Sequence, residues 1–328
     1  MATIDYTYAM LHFIIAHKGI FMICSAVAIF SIQNMATKLM SGMFATHEIL
    51  FIRAIFMIPI VLLLAWSVSE IRTLKTKRPR LHFLRSLALF FAFSGFFMGL
   101  SALPLANSIA IFFSAPLFVT VFSVLILKES IGIHRISALI LGFIGVLVIV
   151  RPGFGDFNYA TLFPLFGAVS YAFMPIITRA FSATESASAM IFYNALFSLL
   201  FASIVGAVLA AGAFTIGVLG DPLYFLTRAW SLPEGTQWAF FLFIGLTSSL
   251  GSYLAAQAYR TTPTSVVTPF EYTSLLWATL WGFLIWGDTP DNFTLIGMML
   301  VVTAGLYIIA RETYLKRLEA KGRIVGNG

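Results

Sequence analysis

Apolar residues along this chain come in long uninterrupted runs, neither in the period of two that marks half-buried strands nor in the single stripe of a soluble helix. Ten runs stand out, at about 19–40, 46–67, 82–102, 105–127, 132–150, 159–180, 187–211, 237–258, 264–286 and 292–311. Each is close to the ~20 residues a helix needs to cross ~30 Å of hydrocarbon. Short breaks rich in Gly, Pro or charge separate them. The pattern predicts an all-α polytopic membrane protein with ten transmembrane helices; the alternating ~10-residue segments of a membrane β-barrel are absent. The first run follows His17 and Lys18 and exceeds the ~7–15 apolar residues of a signal peptide, so it is expected to remain in the mature protein.

Composition strengthens this picture and charge orients it. The 328 residues are 60% hydrophobic and 10% charged, with mean hydropathy +0.95, where a soluble domain has about 25% charged residues. The net charge of +7 does not point to nucleic acid, because the basic residues cluster at the ends of apolar runs. Lys and Arg are retained on the cytoplasmic side. Arg72, Lys75, Lys77, Arg78 and Arg80 between spans 2 and 3, and Lys316, Arg317, Lys321 and Arg323 after span 10, therefore predict cytoplasmic termini, in a bacterial inner membrane. Residues 1–18 read as a cytoplasmic or interfacial segment and 312–328 as a cytoplasmic tail. The stretch 212–236 is too polar to span, and its Tyr224, Phe225 and Trp230 suit an interfacial helix or lid as well as a plain loop. Cys24 has no partner for a disulfide.

Residues 103–129 and 262–288 align as copies: Pro104 matches Pro263 and Glu129 matches Asp288 at one offset, and after a one-residue adjustment Gly145 matches Gly305 and Arg151 matches Arg311. The chain thus divides into repeats at 19–153 and 154–311. With five spans each, an odd number, the second enters the membrane from the opposite side, giving two inverted repeats suited to alternating access. The stretch 106–153, "ANSIAIFFSAPLFVTVFSVLILKESIGIHRISALILGFIGVLVIVRPG", with its echo at 269–308, resembles the EamA-type domain of the drug/metabolite transporter superfamily. The resemblance covers essentially the whole chain as two tandem copies. It implies ten helices, cytoplasmic termini and a central cavity between the halves, and it says little about substrate.

Ionisable groups inside the membrane are costly, at ~2.5–3.5 kcal/mol near the centre, so each needs a partner or a cavity. Glu271 falls roughly 12 Å into span 9 by helical rise, two residues after Pro269, which tends to kink a helix and free carbonyls. It shares a small or polar stripe with Ser274, Ala278 and Gly282, flanked by Phe270, Trp277 and Trp281. Contact with substrate or proton and a structural ion pair are its two readings. In span 2, Glu48 and Arg53 are five residues apart and on different faces; Arg53 either snorkels or clamps a carboxylate. Arg85 reads as an interfacial anchor. Gln33 and Asn34, with Lys38 a turn further on, form a short polar face. Asn107 with Ser108, Tyr171 near Pro175, and Tyr193 with Asn194 complete the candidate cavity lining, each also explicable as an interhelical hydrogen bond. Gly95 to Gly99, "GFFMG", is a small-xxx-small packing pattern.

There is no phosphate-binding loop, no metal-ligating set and no nucleophile paired with a base, and His12 and His17 lack credible partners. No cofactor or metal is expected, and no nucleic acid. The expected partners are a small-molecule substrate, membrane lipid, and a coupling proton or counter-substrate. The sequence therefore predicts a secondary or facilitative transporter of a small polar metabolite, with an amino acid or similar zwitterion favoured because both charge signs are present. An organic anion, vitamin or nucleoside-type metabolite is the alternative. An intramembrane enzyme acting on lipid-linked substrates is the remote one, lacking a convergent acid and base.

Overall fold

The computed structural model describes residues 18–128, 133–151, 158–179, 185–212, 221–262, 267 and 270–320. The N-terminal segment before Lys18, Pro263, Pro269 and the end of the tail lie outside the described residues. Among the described residues every regular element is helical: α1 (Lys18–Ser41), α2 (Thr46–Ser67), α3 (Pro79–Ala102), α4 (Leu105–Phe112), α5 (Ala115–Leu127), α6 (Ile133–Val150), α7 (Leu162–Arg179), α8 (Ala187–Gly212), α9 (Pro222–Thr227), α10 (Gln237–Thr261), α11 (Thr273–Trp281) and α12 (Asn292–Ala320). Seven helical segments are long and apolar enough to cross a membrane, and three shorter apolar ones cover Ile136–Val150, Thr273–Trp286 and Asn292–Ile308. They coincide with the ten apolar runs. The protein is an integral membrane protein.

Local chemistry sets the boundaries. Pro79 opens α3, where its missing N–H costs nothing. Asp221 caps α9 by accepting from the Leu223 N–H at 2.7 Å, so part of the 212–236 stretch is indeed a short helix. The fourth run departs from the predicted single helix. It breaks at Phe113–Ser114, where the Ser114 hydroxyl bonds back to the Ile111 carbonyl at 2.7 Å and Pro116 follows without an N–H to continue the ladder. The ninth run also differs: regular α-helix starts only at Thr273, after a turn at Tyr272, and gives way to a π-turn over Gly282–Trp286 that ends at Gly287 with φ +70°. By the repeat offset Tyr272 matches Phe113, so both copies interrupt a helix at the same place. The tenth helix outruns its predicted end at 311, because "RETYLKRLEA" consists largely of good helix formers.

Contacts between helix ends sort the molecule into an upper end, with the turn at Gly42–Ala45, the 221–236 segment and Gly287–Asp291, and a lower end, with Val68–Arg78 and Glu185–Ser186. The closest helix pairs are α3 with α7, α1 with α10, α6 with α12, and α2 with α8, followed by α2 with α10 and α3 with α8. Exchanging the first half for the second maps this set of pairs onto itself. The α3–α7 crossing is tight because Gly95 and Gly167 carry no Cβ; one added at Gly95 would sit 2.6 Å from the Phe163 carbonyl oxygen. The small-xxx-small pattern is thus spent on packing. At the crossing of α4 and α11 the matched rings of Phe113 and Tyr272 meet, 5.2 Å between centroids.

Candidate functional site

Beside the Tyr272 break, the helical residues 270–271 include Glu271. Its carboxylate accepts a 2.7 Å hydrogen bond from the Tyr259 hydroxyl near the lower end of α10. Tyr171 of α7 lies within electrostatic reach of both Glu271 and Arg85, and its ring meets Phe112 edge-on at 5.5 Å. Arg85 of α3 donates through Nε to Thr178 Oγ1 at 3.0 Å and through a terminal nitrogen to the Met190 carbonyl at 3.3 Å. It therefore turns into α7 and α8. Arg85, Tyr171 and Glu271 are half-buried. The sequence reading missed Tyr259 and favoured Arg85 as an anchor; only the fold reveals that they converge, since their partners come from the other half or from a neighbouring helix.

Arg53 lies elsewhere. It is buried in α2, its guanidinium 4.6 Å from the Phe93 ring centre and 5.6 Å from that of Phe97. Glu48 does not pair with it; its two oxygens accept from the Ala45 N–H at 3.2 Å and the Ser231 N–H at 2.9 Å. The expected polar face on α1 is split. Lys38 donates to the Leu103 carbonyl at 2.7 Å and pairs with Asp288 at 3.7 Å, whereas Gln33 is buried with its Oε1 unpartnered and Asn34 is half-buried.

The remaining candidates spread out. Trp277 packs against a cluster containing Ile23 and Val27, and Trp281 donates to Ser31 Oγ at 3.1 Å, so both rings face α1. Asn107 is half-buried beside Ser108, whose buried hydroxyl has no partner. Tyr193 meets the His82 ring at 4.5 Å near the lower end, and Asn194 is half-buried next to it. A concavity of about 750 Å³ opens at the upper rim among His47, Phe51, Gly206, Arg228 and Trp230, far from Glu271 and Arg85.

Two charges of opposite sign, with Tyr171 in electrostatic reach of both and aromatic rings beside them, can hold a molecule that carries both signs. The profile of the EamA-like transporter family matches residues 17–151 and again 158–311. An S-adenosylmethionine uptake transporter of Rickettsia felis is 30% identical over 282 residues, 86% of this chain and 89% of that protein. Its counterpart in Rickettsia bellii is also 30% identical, over 86% and 90%. A riboflavin transporter of Vibrio cholerae is 29% identical over 56% of this chain and 55% of its own length. A solved crystal structure superposes on 90% of this chain and 98% of its own with a TM-score of 0.57 at 17% identity, a likeness of fold.

Proposed function

The chain belongs to the EamA-like transporter family, and on that premise we propose that it carries a small zwitterionic metabolite of the S-adenosylmethionine kind by alternating access between two inverted five-helix halves. As a transporter of small metabolites it is not an enzyme. The observation that carries the zwitterion reading is the convergence of Arg85, Tyr171, Tyr259 and Glu271 beside the helix break of the second half, with Phe112 and Phe113 of the first half opposite. Discontinuous helices meeting between inverted halves are where transporters bind. The self-consistent exchange of helix pairs supports the inverted arrangement. The five basic residues from Arg72 to Arg80 favour a cytoplasmic lower end, and with it cytoplasmic termini in an inner membrane. No phosphate-binding loop is present in the sequence, which favours movement by a gradient or by exchange unless a separate subunit supplies energy.

Counterflow in proteoliposomes tests this. Labelled S-adenosylmethionine should accumulate in vesicles preloaded with the unlabelled compound. Glu271→Gln should lower the rate at least ~10-fold, the loss of about 1.4 kcal/mol of interaction, while its amide oxygen keeps the Tyr259 bond and the fold. Exchange of riboflavin in place of S-adenosylmethionine would move the reading to a flat heterocycle held by the rings; exchange of neither by an intact preparation would end it.

A further inference from the structure

Arg53 is the exception among the cations inside the described spans. Lys38 and Arg85 each reach an acceptor, whereas Arg53, only 2% exposed, has a buried Nε without a hydrogen-bond partner among the described residues. The nearest acid in sequence, Glu48, is occupied by two main-chain N–H groups, and Glu271 is bonded to Tyr259 near the other end. A guanidinium does not shed its proton, and an uncompensated buried charge costs several kcal/mol. Snorkelling does not relieve it, because the side chain lies over α3 rings and stays out of solvent. Phe93 and Phe97, one turn apart on α3, hold the guanidinium in cation–π contact. The unpartnered Nε–H belongs to a planar fork of donors whose geometry matches a bidentate acceptor.

We propose that Arg53 is the carboxylate subsite of the transport pathway, receiving the carboxylate of the carried zwitterion on its N–H edge. This rests on the transport reading above and gives it a direction: the cationic part lies toward Glu271, and the carboxylate goes to Arg53, whose Nε has no acceptor among the described residues, and not to Arg85, whose Nε and one terminal nitrogen are already bonded to Thr178 and Met190. The surrounding layer suits an amino-acid head group. By helical rise Arg53 and Gln33 lie about 10–12 Å from the upper helix ends and Ser248 about 16 Å. The α10 backbone meets the Arg53 carbonyl at Gly245, and Gly251 meets Phe30 of α1, so Ser248 falls between those two contacts by register. Gln33 Oε1 and Ser248 Oγ are both buried without a partner, and each can accept from an ammonium group.

The test titrates the purified full-length protein in nanodiscs with S-adenosylmethionine and with decarboxylated S-adenosylmethionine. Wild type should prefer the carboxylated ligand at least ~30-fold, the low end of what a buried charged hydrogen-bonded pair is worth. Arg53→Met should bind both alike. Because a buried unpaired charge gives way to an apolar chain of similar length, its melting temperature without ligand should equal or exceed that of wild type; a structural ion-pair role would lower it. If Arg53→Met keeps the preference, the subsite is overturned while the transport reading stands. Equal binding of the two ligands by wild type overturns it too, with no variant needed. If wild type neither binds nor exchanges S-adenosylmethionine, the transport reading falls and this inference with it.

Discussion

The two halves of the bundle are fastened to each other at both ends, each time around a buried carboxylate, but by different chemistry. At the lower end Glu185 takes the Thr76 hydroxyl at 2.9 Å on one oxygen and His82 Nε2 at 3.2 Å on the other, while Ser188 donates to Glu70 at 2.6 Å. At the upper end Glu48 takes two main-chain N–H groups, one from its own turn and one from Ser231 in the segment before α10, and Arg228 donates to the Gly42 and Met43 carbonyls. A hydroxyl and an imidazole can exchange donor and acceptor roles; an N–H cannot. The lower fastening therefore tolerates a rearranged hydrogen-bond pattern, whereas the upper one is fixed by the backbone. Accessibility follows the same division, with Arg53 and Gln33 buried in the upper half and Arg85, Tyr171 and Glu271 half-open in the lower.

Isosteric amides expose the difference. In Glu48→Gln one of two N–H donors must face an NH₂ group, so the substitution should cost about 1–3 kcal/mol, the penalty of a buried donor left unsatisfied. The measurement is reversible unfolding in detergent, together with faster proteolysis of the 221–236 segment. In Glu185→Gln the amide oxygen can accept from Thr76 while the NH₂ donates to a His82 nitrogen that has changed tautomer, so the cost should stay under about 1 kcal/mol. Equal losses in the two variants would show that the ends are not chemically distinct after all.

These distinctions were only partly legible in the sequence. The ten apolar runs could be read because lipid forces each spanning segment to satisfy its own backbone as helix, and span 2 ends where hydropathy put it. The break at Phe113–Ser114 escaped because it comes from one hydroxyl folding back on a carbonyl inside an unbroken apolar run. Glu271 could be singled out by its cost in a membrane, but not its partner Tyr259. Arg85 reads as an anchor in the sequence because nothing local marks Thr178 and Met190 as its acceptors. Trp277 and Trp281 belong to the right helix, yet the rings lean on α1, a choice made by the α1–α11 contact. Arg53 left two readings open, and only the rings of α3 weigh between them.

The smallest expected effect lies at the rim, where Arg151 at the end of α6 pairs with Asp291 ahead of α12. Partial burial works against the Asp291 carboxylate, but hydrogen bonds from Thr294 and the Arg151 guanidinium outweigh it and hold the group down at about 2. A carboxylate depressed in the folded state contributes stability that is present above its unfolded value of about 3.9 and is lost as pH falls through about 2. Asp291 is half exposed, so solvent screening should reduce that contribution to about 1 kcal/mol or less. Asp291→Asn should therefore lower the melting temperature slightly at pH 7 and leave it unchanged near pH 2, and added salt should shrink the difference at neutral pH. Glu48→Gln should keep its deficit in high salt, because its partners are buried N–H groups. If the Asp291 deficit proved as large and as indifferent to salt as that of Glu48, the upper end would be held by its rim charges and not by the main-chain donors around Glu48.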